Sequence, residues 1–236
     1  SVDTNRSPDH PIRETHPTAT APEGGTRTPL TSERLPCVLV LDVSGSMAGE
    51  PIQQVNEGLK ALAQDLKGDE QAADKVQILI VSVGGSVTVD TEWTDAGLFD
   101  PPRLSASGQT PLGQGVRLAL EAIEARKAAY RTAGINYRRP WLFIISDGEP
   151  TDHGWEMAAD SCREAETSRK TSVFVVGVSG ANRTKLQRFS NREVMQLKGL
   201  QFKELFLWLS ASARAASRAP DADAPVQLPK IDWSVA

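Results

Sequence analysis

The chain of 236 residues has few cysteines, few histidines and no excess of positive charge. Its two cysteines do not form a metal-binding motif, and no apolar run approaches the ~20 residues needed to span a bilayer. Acidic and basic residues almost balance, at 30 and 26, and the basic ones form no stripe along the sequence. We therefore expect no membrane-spanning segment and no nucleic-acid partner.

The two ends of the chain differ in composition from the part between them. The N-terminal residues are rich in serine, proline and threonine, which predicts a disordered tail over residues 1–35. The remainder is predicted to form one folded domain, residues 36–217, and a C-terminal tail, residues 218–236. Because the N-terminus has no apolar signal core, we expect a cytoplasmic protein with Cys37 and Cys162 as buried free thiols. Pairing of the two cysteines stays open.

Between the tails, short apolar segments alternate with segments of helical periodicity. Strands are predicted at residues 36–42, 75–82, 141–145 and 173–178, with helices at 51–66, 111–130, 153–170 and from Phe202 onward. A shorter alternating segment, Ser86 to Asp90, suits an antiparallel edge strand. This order predicts an α/β, Rossmann-like doubly wound fold, with a mostly parallel sheet, one short antiparallel edge strand and helices on both faces.

Carboxylates and hydroxyls stand where two of the apolar strands end. Asp42, Ser44 and Ser46 follow the first strand, Asp147 follows the run from Trp141 to Ile145, and Thr110 precedes a helix. Their oxygens are hard ligands of the kind that Mg²⁺ or Mn²⁺ prefers. None of these segments contains a His, Lys or Cys that could act as a base or nucleophile. The pattern therefore indicates a metal site rather than a catalytic one.

Asp-x-Ser-x-Ser, followed by a distant Thr and a distant Asp, resembles the metal-ion-dependent adhesion site (MIDAS) of von Willebrand factor A (vWA) domains. The resemblance implies that Mg²⁺, or alternatively Mn²⁺ or Ca²⁺, is bound by Asp42, Ser44, Ser46, Thr110 and Asp147. The chemistry of these residues agrees, because hydroxyls can bind directly as neutral ligands and carboxylates can bind directly or through water. With few charges around it, the cation would have an open position for a carboxylate from a partner protein.

Longer stretches resemble one bacterial branch of the family, the tellurium-resistance vWA proteins called TerY. They are residues 35–52, 104–113 and 174–178, within a likeness that covers about residues 35–210. Gly84-Gly85 departs from this branch, which usually has an aromatic and an acidic residue there. The resemblance implies a non-enzymatic signalling adaptor in a stress response. Its partners would be proteins that supply an Asp or Glu to the metal, among them a metal-dependent (PP2C-type) Ser/Thr phosphatase and a Ser/Thr kinase.

Two other functions stay open. Asp42 could be the aspartyl nucleophile of a metal-dependent phosphohydrolase, although such enzymes resemble Asp-x-Asp and this chain has Ser44 at the second position. The chain could also be a structural vWA domain with a vestigial metal site. A dinucleotide-binding fingerprint and a phosphate-binding loop are both absent from the sequence.

Residues outside the motif allow more than one role. Asp152 could line the rim of the site, but we predict that it caps the helix that follows it, since carboxylates favour helix N-termini. Glu149 could also lie at the rim. Trp233 could contact a partner or could fold back onto the domain.

Overall fold

The computed structural model describes residues 33–220 and 227–235 of the chain. The chain divides into two units, Ser1–Leu30 and Thr31–Ala236, and every described residue belongs to the second. The predicted disordered tail, residues 1–35, therefore lies almost entirely outside the described residues.

The second unit is built around a seven-stranded sheet. Its strands are β1 (Leu35–Asp42), β2 (Val76–Gly84), β3 (Ser86–Asp95), β4 (Trp141–Ser146), β5 (Ser172–Gly177), β6 (Met195–Leu197) and β7 (Ser234–Val235). They lie in the order β3-β2-β1-β4-β5-β6-β7, with β3 and β7 antiparallel at the two edges and all other pairs parallel. The strand order reverses between β1 and β4, which is where sheets of this kind bind ligands.

Helices cover both faces of the sheet. They are α1 (Glu50–Lys67), α2 (Glu70–Lys75), α3 (Leu112–Ala133), α4 (Trp155–Thr167), α5 (Arg183–Gln187) and α6 (Phe202–Arg218). Alternate residues of β1 point to opposite faces, so Leu39 joins the core under α1 and α6, whereas Val40 joins the core under α3 and α4. All eight residues of β1 are buried, as expected for a central strand covered on both sides.

The α/β fold class is confirmed, and the structure differs from the prediction in the two edge strands and in one short helix. β3 is ten residues long and continues past Asp90 to Asp95, because a bulge around Asp90 interrupts the alternation on which the prediction rested. The short helix α2 was not predicted, since six residues are too few for a periodic pattern. β7 was not predicted either, and it adds a second antiparallel edge strand.

The last described residues return to the domain. β7 lies within the segment that we assigned to a C-terminal tail, and it pairs with β6. The neighbouring Trp233 is fully buried, with its ring centroid 5.5 Å from that of Trp208. The indole N–H of Trp208 donates to the carbonyl of Pro229 at 3.0 Å. Of the two roles left open for Trp233, the structure shows the second, in which the residue folds back onto the domain.

The two cysteines are buried and free, as predicted. Cys37 belongs to the core under α1 and α6, whereas Cys162 belongs to the core under α3 and α4, so the sheet separates them. Burial raises the pKa of the Cys37 thiol to about 12 and also raises that of Cys162. Neither thiol is therefore suited to act as a nucleophile.

None of the helices in residues 33–220 and 227–235 combines the length and the apolar character that crossing a membrane requires.

Candidate metal centre

Asp42 and Asp147 lie side by side at the carboxyl end of the sheet. Asp42 is the last residue of β1, and Asp147 directly follows β4. The two strands are parallel neighbours with Leu41 opposite Ile145, so their ends reach the same edge. Strand pairing thus brings Asp42 and Asp147 together although more than one hundred residues separate them in the sequence, as the motif predicted.

Asp42 is buried, with 2% of its surface exposed, and both of its carboxylate oxygens accept two hydrogen bonds. Oδ1 accepts from the amide of Ser44 at 2.9 Å and from its hydroxyl at 2.6 Å. Oδ2 accepts from the hydroxyl of Ser146 at 2.7 Å and from the amide of Asp147 at 3.2 Å. These four hydrogen bonds satisfy the polar oxygens of a side chain that is almost completely removed from water.

The hydroxyls of Ser44 and Ser46 lie between the two carboxylates. Their Oγ atoms are 3.1 Å apart. Ser44 donates to Asp42, and Ser46, which is exposed, donates to Asp147. Because each hydroxyl proton points to a carboxylate, lone pairs of both oxygens stay available to a cation.

Asp147 is only half buried but lies in an unfavourable environment for a negative charge. Burial and the neighbouring carboxylate of Asp42 raise the pKa of Asp147 to about 7, and Glu149 adds to the effect. Two carboxylates that share a site repel each other unless a cation or a proton offsets their charge. The electrostatics of the pair thus favour a bound cation.

Thr110 is buried, with 4% of its surface exposed, in the loop that precedes α3. The structure joins this loop to the Asp42 loop through backbone hydrogen bonds, from Ser107 to the carbonyl of Val43 at 2.8 Å and from Gly45 to the carbonyl of Gly108 at 2.9 Å. It joins Thr110 to the Asp147 loop through Thr151. All five predicted residues therefore belong to one set of connected segments. Side-chain hydrogen bonds link Asp42, Ser44, Ser46 and Asp147 to one another, and backbone hydrogen bonds link Thr110 to the same segments.

Sequence reasoning missed Ser146, the last residue of β4. It is fully buried, and its hydroxyl donates to Asp42 and accepts from the amide of Gly148 at 2.9 Å. The available signal was a polar residue at the end of the apolar run that precedes Asp147. Through these two bonds, Ser146 positions Asp42.

The prediction that Asp152 caps the following helix, α4, was wrong, because its carboxylate caps α3 instead. Its carboxylate accepts hydrogen bonds from the amides of Gly113 at 3.1 Å and Gln114 at 2.8 Å, in the first turn of α3, whereas α4 begins after Gly154 without a side-chain cap. Glu149 accepts hydrogen bonds from Lys185 and Asn182, which hold its pKa below the usual value. These bonds connect Glu149 to α5.

The donor set fits a small hard cation. Adjacent ligands of an octahedral Mg²⁺ ion lie about 2.9 Å apart, close to the 3.1 Å between the hydroxyls of Ser44 and Ser46. Within residues 33–220 and 227–235, no group of three or more His, Cys, Asp or Glu residues is placed to hold a metal ion. A centre formed here would therefore depend on hydroxyls as well as on the two carboxylates. When bound, the ion would supply a positive charge and an open ligand position.

Comparison with known protein sequences identifies a limited set of relatives. Inter-alpha-trypsin inhibitor heavy chain H1 of Sus scrofa is 32% identical over 117 residues, which are 49% of this chain and 13% of that protein. An uncharacterized protein of Synechocystis sp. is 29% identical over 119 residues, which are 49% of this chain and 25% of that protein. The matched region is thus a minor part of either relative.

Comparison with solved structures identifies the same fold. A von Willebrand factor type A protein from Catenulispora acidiphila aligns with a TM-score of 0.58 and 14% identity, over 78% of this chain and 43% of that one. The manganese-loaded TRAP protein of Plasmodium vivax aligns with a TM-score of 0.54 and 15% identity, over 76% and 74% of the two chains. At such identities these structures show the fold alone.

The sequence profile of the von Willebrand factor type A domain matches residues 37–198, which are more than half of the chain. This range contains all five predicted metal ligands, most of β1 and all of β2 to β6. Domains of this kind commonly act in adhesion or interaction that depends on a divalent metal. The chain belongs to the von Willebrand factor type A domain family.

Proposed function

We propose that this domain is a metal-ion-dependent protein-interaction module, an adaptor that binds a carboxylate of its partner through Mg²⁺. Asp42, Ser44, Ser46, Thr110 and Asp147 would hold the ion, directly or through water. A neutral hydroxyl leaves more of the ion's charge uncompensated than a carboxylate does. The ion would therefore attract an Asp or Glu side chain from another protein.

One observation carries this proposal, namely the pair of serine hydroxyls 3.1 Å apart between two carboxylates. The hydroxyls are already held at a spacing that suits adjacent ligands of Mg²⁺. Ser46 and Asp147 lie at the solvent side of the group, since Ser46 is exposed and Asp147 is half buried, whereas Asp42 and Ser44 are buried. A partner would therefore approach from the side of Ser46 and Asp147.

We further propose that the domain is not an enzyme. Asp42 is the candidate nucleophile of a phosphohydrolase, but both of its oxygens are engaged in hydrogen bonds and only 2% of its surface is exposed. An aspartyl nucleophile needs an oxygen that can reach the phosphorus atom. These contacts support a role for Asp42 in holding the site together rather than in attack on a substrate.

The resemblance to the TerY branch suggests the biological setting. We propose a bacterial stress-response system in which the partners are a metal-dependent Ser/Thr phosphatase and a Ser/Thr kinase. This part of the proposal depends on the resemblance of residues 35–52, 104–113 and 174–178, whereas the metal-dependent capture of a carboxylate depends on the site itself.

Calorimetric titration with Mg²⁺ tests the metal site. We expect saturable binding to the wild type and its loss in Ser46→Ala, which removes an exposed hydroxyl without disturbing the core. Ser161→Ala is the matched control, because this exposed serine lies on α4, outside the candidate centre, and its hydroxyl donates to the carbonyl of Met157 at 3.0 Å. Equal binding by the wild type and Ser46→Ala would contradict the proposed site.

A binding assay with a purified Ser/Thr phosphatase and a purified Ser/Thr kinase from the same organism tests the adaptor function. We expect binding in Mg²⁺, and its loss in EDTA and in Ser46→Ala. Binding that is unchanged by EDTA would show that contact does not use the metal. Turnover of a generic phosphate ester that disappears in Asp42→Asn would instead identify an enzyme.

A further inference from the structure

We infer that Asp152 is a positioning residue of the metal centre, which holds Thr110 at a fixed place relative to Asp147. The inference rests on the proposed function, since it assigns a role in metal binding to a residue outside the five ligands. Asp152 lies in the loop that follows Asp147, and Thr110 lies just before α3. A link between that loop and α3 therefore sets the distance between the ligands Thr110 and Asp147.

Asp152 provides the N-terminal cap that α3 lacks in its own sequence. The capping position of α3 is Pro111, whose side chain has no hydrogen-bond acceptor. The amides of Gly113 and Gln114 would therefore have no acceptor within their own segment. Each oxygen of the Asp152 carboxylate accepts from one of them, at 3.1 and 2.8 Å. Because both bonds join Asp152 to the first turn of α3, its effect on the metal centre comes through the position of that turn.

A second pair of hydrogen bonds joins the same two loops at Thr110 itself. The amide of Thr110 donates to the hydroxyl of Thr151 at 3.0 Å, and the amide of Thr151 donates to the carbonyl of Thr110 at 2.9 Å. We call these two bonds and the two from Asp152 the loop clamp. Its four bonds all connect the segment from Thr110 to Gln114 with Thr151 and Asp152.

Gly113 gives independent evidence that this contact is close. A Cβ atom at Gly113 would lie 2.6 Å from the Cα of Trp155 and 2.7 Å from Oδ2 of Asp152. A Cβ atom is essentially never found this close to another heavy atom, so any side chain at this position would push the first turn of α3 away from the Asp152 loop. The clamp therefore needs a glycine at 113 as well as a carboxylate at 152.

The test is the affinity for Mg²⁺, measured by calorimetry with the metal alone on the full chain. We expect Asp152→Ala to weaken binding about 10- to 100-fold, the range found when a group that orients a metal ligand is removed. Asp152→Asn keeps one acceptor oxygen and should give an intermediate loss. Gly113→Ala should resemble Asp152→Ala, because it opens the same contact from the other side.

Asp69→Ala is the matched control. Asp69 also caps a helix, since its carboxylate accepts from the amide of Ala72 in α2 at 3.0 Å, but it is not part of the loop clamp. It should lower the melting temperature and leave the Mg²⁺ affinity unchanged. If Asp69→Ala and Asp152→Ala weaken Mg²⁺ binding equally, the effect is one of general stability and the inference is wrong.

A double-mutant cycle tests whether Asp152 acts through Thr110. In a Thr110→Ala background, which lacks the hydroxyl ligand, Asp152→Ala should change the Mg²⁺ affinity by no more than about twofold, the usual scatter between independent sites. The same loss in both backgrounds would overturn the inference. If Asp152→Ala does not fold, Asp152→Asn and Gly113→Ala in the same cycle decide the question.

Two outcomes separate this inference from the proposed function. Absence of Mg²⁺ binding by the wild type would overturn the proposed function, and the positioning role with it. Binding by the wild type and equal binding by a folded Asp152→Ala would overturn the positioning role alone. Hydrogen exchange without metal checks the clamp directly, because Asp152→Ala should accelerate exchange at the Gly113 and Gln114 amides and Asp69→Ala should not.

Discussion

At the scale of single residues, the two carboxylates of the candidate centre have opposite environments. Asp42 accepts four hydrogen bonds and is buried, whereas Asp147 is half buried, with the hydroxyl of Ser46 as its side-chain donor. Hydrogen bonds to a carboxylate favour its charged form, while burial and a second negative charge disfavour it. Burial, followed by the neighbouring carboxylate of Asp42, raises the pKa of Asp147, and a cation near Asp147 would offset both effects.

Ser146→Ala should destabilise the fold and weaken Mg²⁺ binding together. It removes a fully buried hydroxyl that donates to Asp42 and accepts from Gly148, so a buried acceptor and a buried donor each lose a partner. We expect a loss of about 1–3 kcal/mol in the free energy of unfolding, measured by urea denaturation, from the cost of unsatisfied buried groups.

Ser212→Ala is the control for that prediction. Ser212 is also fully buried, but its hydroxyl has no hydrogen-bond partner among the described residues. Its removal should leave the free energy of unfolding unchanged or slightly higher, with normal Mg²⁺ binding. A similar loss of stability in both variants would show that the partners of Ser146 are not the cause.

At the scale of elements, glycines allow the loops of the centre to pack backbone against backbone. A Cβ at Gly84 would lie 2.5 Å from the carbonyl oxygen of Val43, and one at Gly108 would lie 2.5 Å from the Cα of Gly85. The amide of Gly85 donates to the carbonyl of Gln109 at 2.8 Å, next to Thr110. The turn between β2 and β3 thus supports the Thr110 loop, although it contributes no ligand.

Gly108→Ala should therefore disturb the metal centre. Its φ is +74°, and the added methyl group would collide with Gly85. Gly134→Ala is the control, because Gly134 has a similar φ of +69° and open space around it. Both should lose about 1–2 kcal/mol of unfolding free energy from the left-handed conformation, with a further loss for Gly108→Ala from the collision. Only Gly108→Ala should weaken Mg²⁺ binding in calorimetry.

The C-terminal segment should stabilise the domain without acting on the centre. Trp233→Ala empties a fully buried position beside Trp208, for which we expect a loss of about 3–5 kcal/mol in urea denaturation. Trp233→Phe should lose less, because it keeps a ring and removes an indole N–H that has no partner within residues 33–220 and 227–235. Unchanged stability of Trp233→Ala would show that this segment does not pack in solution.

At the scale of the whole molecule, a ligand that binds only the folded state raises its stability by mass action. Mg²⁺ at a hundred times its dissociation constant should add about 2.7 kcal/mol, which corresponds to a rise of roughly 5–10 °C in melting temperature for a domain of this size. EDTA should reverse the rise, and Ser46→Ala should abolish it. A rise that persists in Ser46→Ala would place the bound ion elsewhere.

The pattern of apolar runs and turns was sufficient to predict the α/β fold and the central strands. Strand β1, for example, is apolar from Leu35 to Leu41, as expected for a strand covered on both faces, so its central place in the sheet follows from composition. Structural features that leave no periodic pattern in the local sequence were not predicted. The bulge at Asp90 hides the second half of β3, and the two residues of β7 are a strand only because β6 lies beside them.

The sequence by itself determined the donor atoms of the candidate centre and the sheet edge at which they lie, because parallel strands bring their carboxyl ends together and the motif residues follow such ends. Only the tertiary structure decided that Ser146 holds Asp42 and that Asp152 caps α3 instead of α4. The physical reason is that an amide or a carboxylate binds whichever partner the fold brings within about 3 Å, whatever their separation along the chain.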